Sequence, residues 1–167
     1  MFEVVLHEPE IPNNTGNIGR TCVATGCKLH LIQPLGFDID EKACRRAGLD
    51  YWPRLRLRTH AGFEDYHQST PNARRWLMST TGGRCVYDAD LRPGDHLIFG
   101  KESAGLPNAI LDHHPESVLC LPMVAGERSL NLSTVVCAVV YEGLRQCLVR
   151  GETELDTNGR LRVRCER

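Results

Sequence analysis

Three short segments hold side chains of types and spacing suited to chemistry: Asn14-Thr15-Gly16-Asn17-Ile18-Gly19-Arg20, Phe99-Gly100-Lys101-Glu102-Ser103-Ala104-Gly105 and Ser129-Leu130-Asn131-Leu132-Ser133. Glycine lets backbone amides and carbonyls come close to a ligand, and Asn and Ser add short hydrogen-bonding arms. In the first segment Thr15 reads as a helix N-cap with Gly16 and Asn17 in the opening turn. Arg20 then lies about one turn inside, its side chain leaning back toward the helix start. Two readings fit: amides and a guanidinium facing an RNA phosphate, or a capped helix with a solvated Arg. In the second segment Glu102 is the only carboxylate. It is either a site residue at a strand end, where open α/β sheets bind ligands, or half of a Lys101–Glu102 surface pair. Neither G-x-G-x-x-G nor a Walker pattern is present, so an ordinary dinucleotide or nucleoside-triphosphate site is not supported. In the third, Asn131 and Ser133 are cap candidates for a long helix. The preceding Leu121-Pro122-Met123-Val124-Ala125-Gly126 is either an apolar wall for an adenine or thioether methyl, or merely a turn.

The elements that must position these segments follow from the apolar runs. Residues 2–7, 29–33, 76–79, 96–100 and 118–121 are apolar without strict alternation, the pattern of parallel strands covered on both faces. Helix-compatible stretches lie between them at 15–25, 41–47, 61–68 and 107–113, with Pro107 suited to a first turn. The longest helix is predicted over 132–149, with Val135, Val139, Leu144 and Leu148 as core positions. Alternating strands and helices predict a doubly wound α/β fold, a parallel sheet flanked by helices. Residues 1–150 form one domain in this reading. The polar stretch 151–167 is an extension or frayed end.

Composition narrows the partners. A chain of 167 residues with 41% hydrophobic and 25% charged content is an ordinary globular domain. Net charge is −1, which argues against a general nucleic-acid binder, although 17 Arg against 3 Lys favours bidentate phosphate contacts. The eight cysteines include no C-x-x-C pair, so buried thiols are expected and no metal site. No stretch reads as a membrane span and the N-terminus lacks a signal pattern, so a cytoplasmic protein is expected.

In order, separation and strand-end placement, the three segments closely resemble the motifs of the SPOUT class of S-adenosylmethionine-dependent RNA methyltransferases. Within it the chain looks like the small tRNA (cytidine/uridine-2′-O-)-methyltransferases of the TrmL subgroup. That resemblance runs from Val4 to about Gln146. It includes Leu6-His7-Glu8-Pro9-Glu10-Ile11-Pro12, Leu31-Ile32-Gln33-Pro34-Leu35-Gly36-Phe37 and Arg45-Arg46-Ala47-Gly48-Leu49-Asp50-Tyr51.

The resemblance implies an α/β-knot fold with a C-terminal trefoil knot, in which 121–133 and the last helix pass through the loop around 99–105. It also implies a homodimer packed at the knot, with Arg20 of one subunit near the cofactor pocket of the other. Met78, Gly100, Leu121, Ser129 and Leu130 are then expected to contact S-adenosylmethionine, which leaves as S-adenosylhomocysteine. Arg20, Asn14, Glu102, Ser129 and Asn131 fall on the catalytic positions. The implied substrate is the wobble nucleotide of leucine tRNAs, cytidine or a modified uridine. Arg45, Arg46 and the period-two trio Arg54, Arg56 and Arg58 are candidate phosphate contacts, or solvated arginines on an edge strand. Alternatives are a related enzyme acting elsewhere on tRNA or rRNA, and a non-catalytic RNA-binding factor.

Overall fold

A computed structural model describes residues 1–38, 50–81 and 83–162. Its strands are β1 (Glu3–His7), β2 (Lys28–Ile32), β3 (Leu57–His60), β4 (Arg75–Met78), β5 (Arg84–Cys85), β6 (His96–Phe99) and β7 (Val118–Cys120). The helices are α1 (Pro12–Thr25), α2 (Phe63–Ser69), α3 (Asn108–Asp112) and α4 (Leu132–Val149). The strands make one sheet in the order β3-β2-β1-β6-β4-β7-β5, every neighbouring pair parallel. β1 lies inside, with Leu6 registered against Leu31 on one side and Phe99 on the other.

The unbroken apolar runs have a physical cause: both faces of the sheet are covered. Val4, Leu6, Leu29, Leu31, Leu97 and Phe99 face one way and pack with Ile18 and Cys22 of α1 and Val136, Val139 and Leu144 of α4. The alternating Val5, Ile32, Leu77 and Ile98 face the other way, under Tyr66 of α2 and Leu106. Val135 packs at the edge of the first cluster, and Leu148 is half-buried. β5 was not anticipated, and β3 lies where an edge strand was one of two readings of the arginine trio. β3 is an edge strand exposing Arg58 and Thr59, and β5 is a two-residue edge at the other end, so neither carries an apolar run. The helix expected at 41–47 lies outside the described residues.

Two expectations need correction. α1 starts at Pro12 with Ile11 as its N-cap, so Thr15 is a buried residue inside the helix and not the cap. Proline suits a first helical position, where its missing amide costs nothing. The helix α4 does meet the length and composition of a membrane span, with a mean hydropathy of 1.4 over its 18 residues. Its apolar side is nevertheless spent on the sheet and α1, as a core helix's is.

The face of the sheet under α2 also carries a polar row. Lys28 pairs with the Glu3 carboxylate at 2.9 Å, and His30 Nε2 meets the same carboxylate at 2.7 Å. His30 Nδ1 lies 2.9 Å from His60 Nε2, and the Tyr66 hydroxyl lies 2.7 Å from His96 Nδ1. Burial raises the Glu3 carboxyl, but the hydrogen bonds from His30 and Lys28 outweigh it and bring it down to about 2. Burial pushes His96 down to about 4. Beyond α4, Gly151 turns the chain, Leu155 bridges Leu161, and Leu161 packs against the larger core.

Candidate active site

The three polar segments meet at the C-terminal end of the sheet. Phe99 closes β6, and the chain there turns so tightly that a Cβ on Gly100 would lie 2.0 Å from the carbonyl carbon of Gly105. Only glycine fits, and the tight turn projects Glu102 toward the start of α1. Its carboxylate accepts from the backbone amides of Glu10 at 2.8 Å and Ile11 at 3.3 Å, and from Asn14 Nδ2 at 2.9 Å. The anion at this helix start is therefore the chain's own. Lys101 pairs with Glu8 at 3.0 Å, so the reading of Lys101–Glu102 as a surface pair does not hold.

Asn14 passes the connection on. With its amide nitrogen on Glu102, its Oδ1 accepts from Asn131 Nδ2 at 3.0 Å. Asn131 is the N-cap of α4, as expected, and its own Oδ1 accepts from the Ser133 amide at 2.9 Å and the Ser133 hydroxyl at 2.7 Å. A directional chain thus runs from the free amides of α4 through Asn131 and Asn14 to a carboxylate. Each amide side chain is fixed in orientation because one end must donate and the other accept.

This chain borders a cavity of about 810 Å³. Of the expected residues, Met78, Gly100, Leu121, Ser129, Leu130, Asn14, Glu102 and Asn131 all line it. Met78 and Leu121 give apolar surface, the turn at Gly100 gives backbone, and the volume lies in the range of small-molecule sites. Met123 of the apolar 121–126 loop also lines it, and sequence reasoning missed part of the wall: Ser79, Thr80 and Thr81 after β4, with Arg128 in the last loop. A signal was present, since Ser-Thr-Thr-Gly-Gly after an apolar strand repeats the small, polar pattern of the other segments.

Arg20 is not in that wall. Its exposed guanidinium sits 4.7 Å above the Tyr51 ring and 3.8 Å from Asp50, while the Tyr51 hydroxyl donates to the Gly16 carbonyl. Arg56 donates to the carbonyl of Gly26, at the C-terminal end of α1. Arg45 and Arg46 lie outside the described residues.

Known proteins resemble this chain in sequence and fold. The tRNA (cytidine(34)-2′-O)-methyltransferase of Saccharophagus degradans is 47% identical over 147 residues, 87% of this chain and 96% of that protein. The enzyme of the same name from Escherichia coli K12 is 44% identical over 147 residues, covering 87% and 94%. A solved structure described as giving insight into 2′-OH methylation of C/U34 on tRNA superposes with a TM-score of 0.82 at 44% identity, covering 90% of this chain and 97% of that one. The AdoMet-bound rRNA methyltransferase of Sinorhizobium meliloti has the same fold, with a TM-score of 0.77 at 23% identity, covering 88% of this chain and 57% of that one. Residues 1–141 match the sequence pattern of the SpoU rRNA Methylase family, to which this chain belongs.

Proposed function

We propose that the chain methylates the ribose 2′-hydroxyl of the wobble nucleotide, position 34, of leucine tRNAs, cytidine or a modified uridine, using S-adenosylmethionine. The observation that carries this reading is the Glu102–Asn14–Asn131 chain at the mouth of an 810 Å³ cavity. The names of the relatives at 44–47% identity support the position and the reaction. Bound in the cavity, S-adenosylmethionine supplies a methyl group activated on a sulfonium. The residues fit such a group: Met78, Leu121 and Leu130 offer apolar surface to a base or thioether, and the turn at Gly100 offers backbone for polar edges.

The protein's own work is alignment. Glu102, already accepting from three donors, serves to lock Asn14. Asn14 and Asn131 hold the rim of the cavity, and Ser129 lines it with them. A guanidinium stays protonated below a pH of about 12, so Arg20 acts by holding a phosphate and the attacking hydroxyl in line. Because Arg20 lies outside its own chain's cavity, the working unit in this reading is a homodimer in which each Arg20 serves the partner's cavity. Residues 1–150 form the knotted domain, with 121–133 and α4 threaded through the loop at 99–105, and 151–167 extend it. The enzyme acts on tRNA in the cytoplasm.

The test is transfer of labelled methyl from S-adenosylmethionine to total tRNA from a strain lacking the native enzyme, mapped by nuclease digestion and mass spectrometry. A 2′-O-methyl group at position 34 of leucine tRNAs is expected. Methyl at another nucleotide would move the substrate, and no transfer to any RNA would overturn the assignment.

A further inference from the structure

The loop after β1 and the loop after β6 exchange acidic contacts in both directions. The Glu10 amide donates to the Glu102 carboxylate, and the Glu10 carboxylate in turn takes two donors from Ser103: the backbone amide at 2.9 Å and the hydroxyl at 2.8 Å. These partners stand 93 residues apart, so this is a tertiary clasp and not a local turn. Ser103, Ala104 and Gly105 are exposed, so packing does little to hold that part of the loop. Glu10 itself is firmly seated. The Gly36 amide donates to the Pro9 carbonyl at 3.0 Å, and a Cβ on Gly36 would lie 2.8 Å from the Glu10 Cα. Both Ser103 donors favour the ionised carboxylate and hold Glu10 below the usual carboxylate range.

We propose that Glu10 is a positioning residue for methyl transfer, an inference that rests on the function proposed above. By fixing Ser103 it fixes the neighbouring Glu102, and so sets the register of the Glu102–Asn14–Asn131 chain before substrate arrives. Glu10 touches no reacting group and does not line the cavity. Its influence passes through the loop, where a displacement of about 1 Å is enough to cost about a hundredfold in rate.

The test compares wild type with Glu10→Ala, Glu10→Gln, Ser103→Ala and the Glu10→Ala/Ser103→Ala double variant, using S-adenosylmethionine and tRNA. Glu10→Ala is expected to lower kcat about 10- to 100-fold while KM for tRNA changes less than about threefold, the signature of lost alignment rather than lost binding. Glu10→Gln keeps one acceptor oxygen and falls between the two. Adding Ser103→Ala to Glu10→Ala costs little more, because both changes break one clasp. Hydrogen exchange of the ligand-free protein gives an independent readout: residues 99–106 should exchange faster in Glu10→Ala, with 132–149 unchanged. Unaltered kcat, or a lower melting temperature with kcat intact, would overturn the positioning role. Absence of transfer by the wild type would overturn the proposed function instead, while the exchange comparison alone still decides the clasp; unchanged exchange at 99–106 would sink it.

Discussion

At the scale of single residues, the candidate site depends on which end of each polar group donates. Glu102→Gln replaces an acceptor oxygen with an NH2 among the amides of Glu10 and Ile11 and the Asn14 side chain, leaving at least one donor facing a donor. We expect at least a tenfold loss of methyl transfer in a steady-state assay with little change in melting temperature, since the group sits on the rim and not in the core. The histidines govern acid sensitivity. An unfolded histidine takes a proton near pH 6.5, whereas buried His96 resists until about pH 4. Between those values only the unfolded state gains the proton, so stability falls as pH falls, by about 3 kcal/mol from this residue. His7 and His60, also pushed down by burial, act in the same direction. Glu3, lowered from 4.5 to about 2, contributes stability that is full above its unfolded value and lost in the next window down. Thermal melts between pH 7 and pH 4 should show a steady decline, made shallower by His96→Asn; an equal slope in the variant would contradict this. Residue types at the site were legible in the sequence, but their partners were not. Nothing local ties Asn14 to Asn131 across 117 residues, and nothing marks Glu10 as the group that closes on Ser103.

At the scale of elements, the strands that were legible are those buried on both faces. β1, β2, β4, β6 and β7 carry apolar side chains at successive positions because helices cover both sides of the sheet. β3 was legible only as the edge-strand reading of Arg54, Arg56 and Arg58, because an edge strand leaves Arg58 and Thr59 to solvent and carries no apolar run, and the two-residue β5 is too short to leave a pattern. α4 was legible from its apolar spacing and its Asn131 cap, and its seat is tight. A Cβ on Gly143 would lie 2.5 Å from the ring of Phe2, which is 1% exposed. Gly143→Ala should therefore destabilise the chain by about 1–3 kcal/mol through overpacking, and Phe2→Leu in the same chain should restore part of that. Urea unfolding midpoints of the single and double variants check this. Additive losses would mean that the Gly143–Phe2 contact is not the cause.

At the scale of the whole molecule, one chain provides the cavity and the rim network but leaves Arg20 outside, stacked on Tyr51. Its guanidinium, at 64% side-chain accessibility, faces solvent beside Asp50. The proposed homodimer makes each active site from two chains, which neither composition nor hydrophobic spacing could reveal, since both describe a single chain. The most direct measurement uses two inactive proteins: Arg20→Ala, which lacks the guanidinium, and Glu102→Gln, which lacks the carboxylate of the rim network. Each alone should transfer little methyl to position 34. Coexpressed and allowed to assemble at random, half the dimers should be mixed, and each mixed dimer carries one site with both groups intact, giving about a quarter of wild-type transfer. Recovery of that size would establish that the site spans two subunits and performs the transfer. No recovery from mixed dimers shown to be folded and paired would contradict the account.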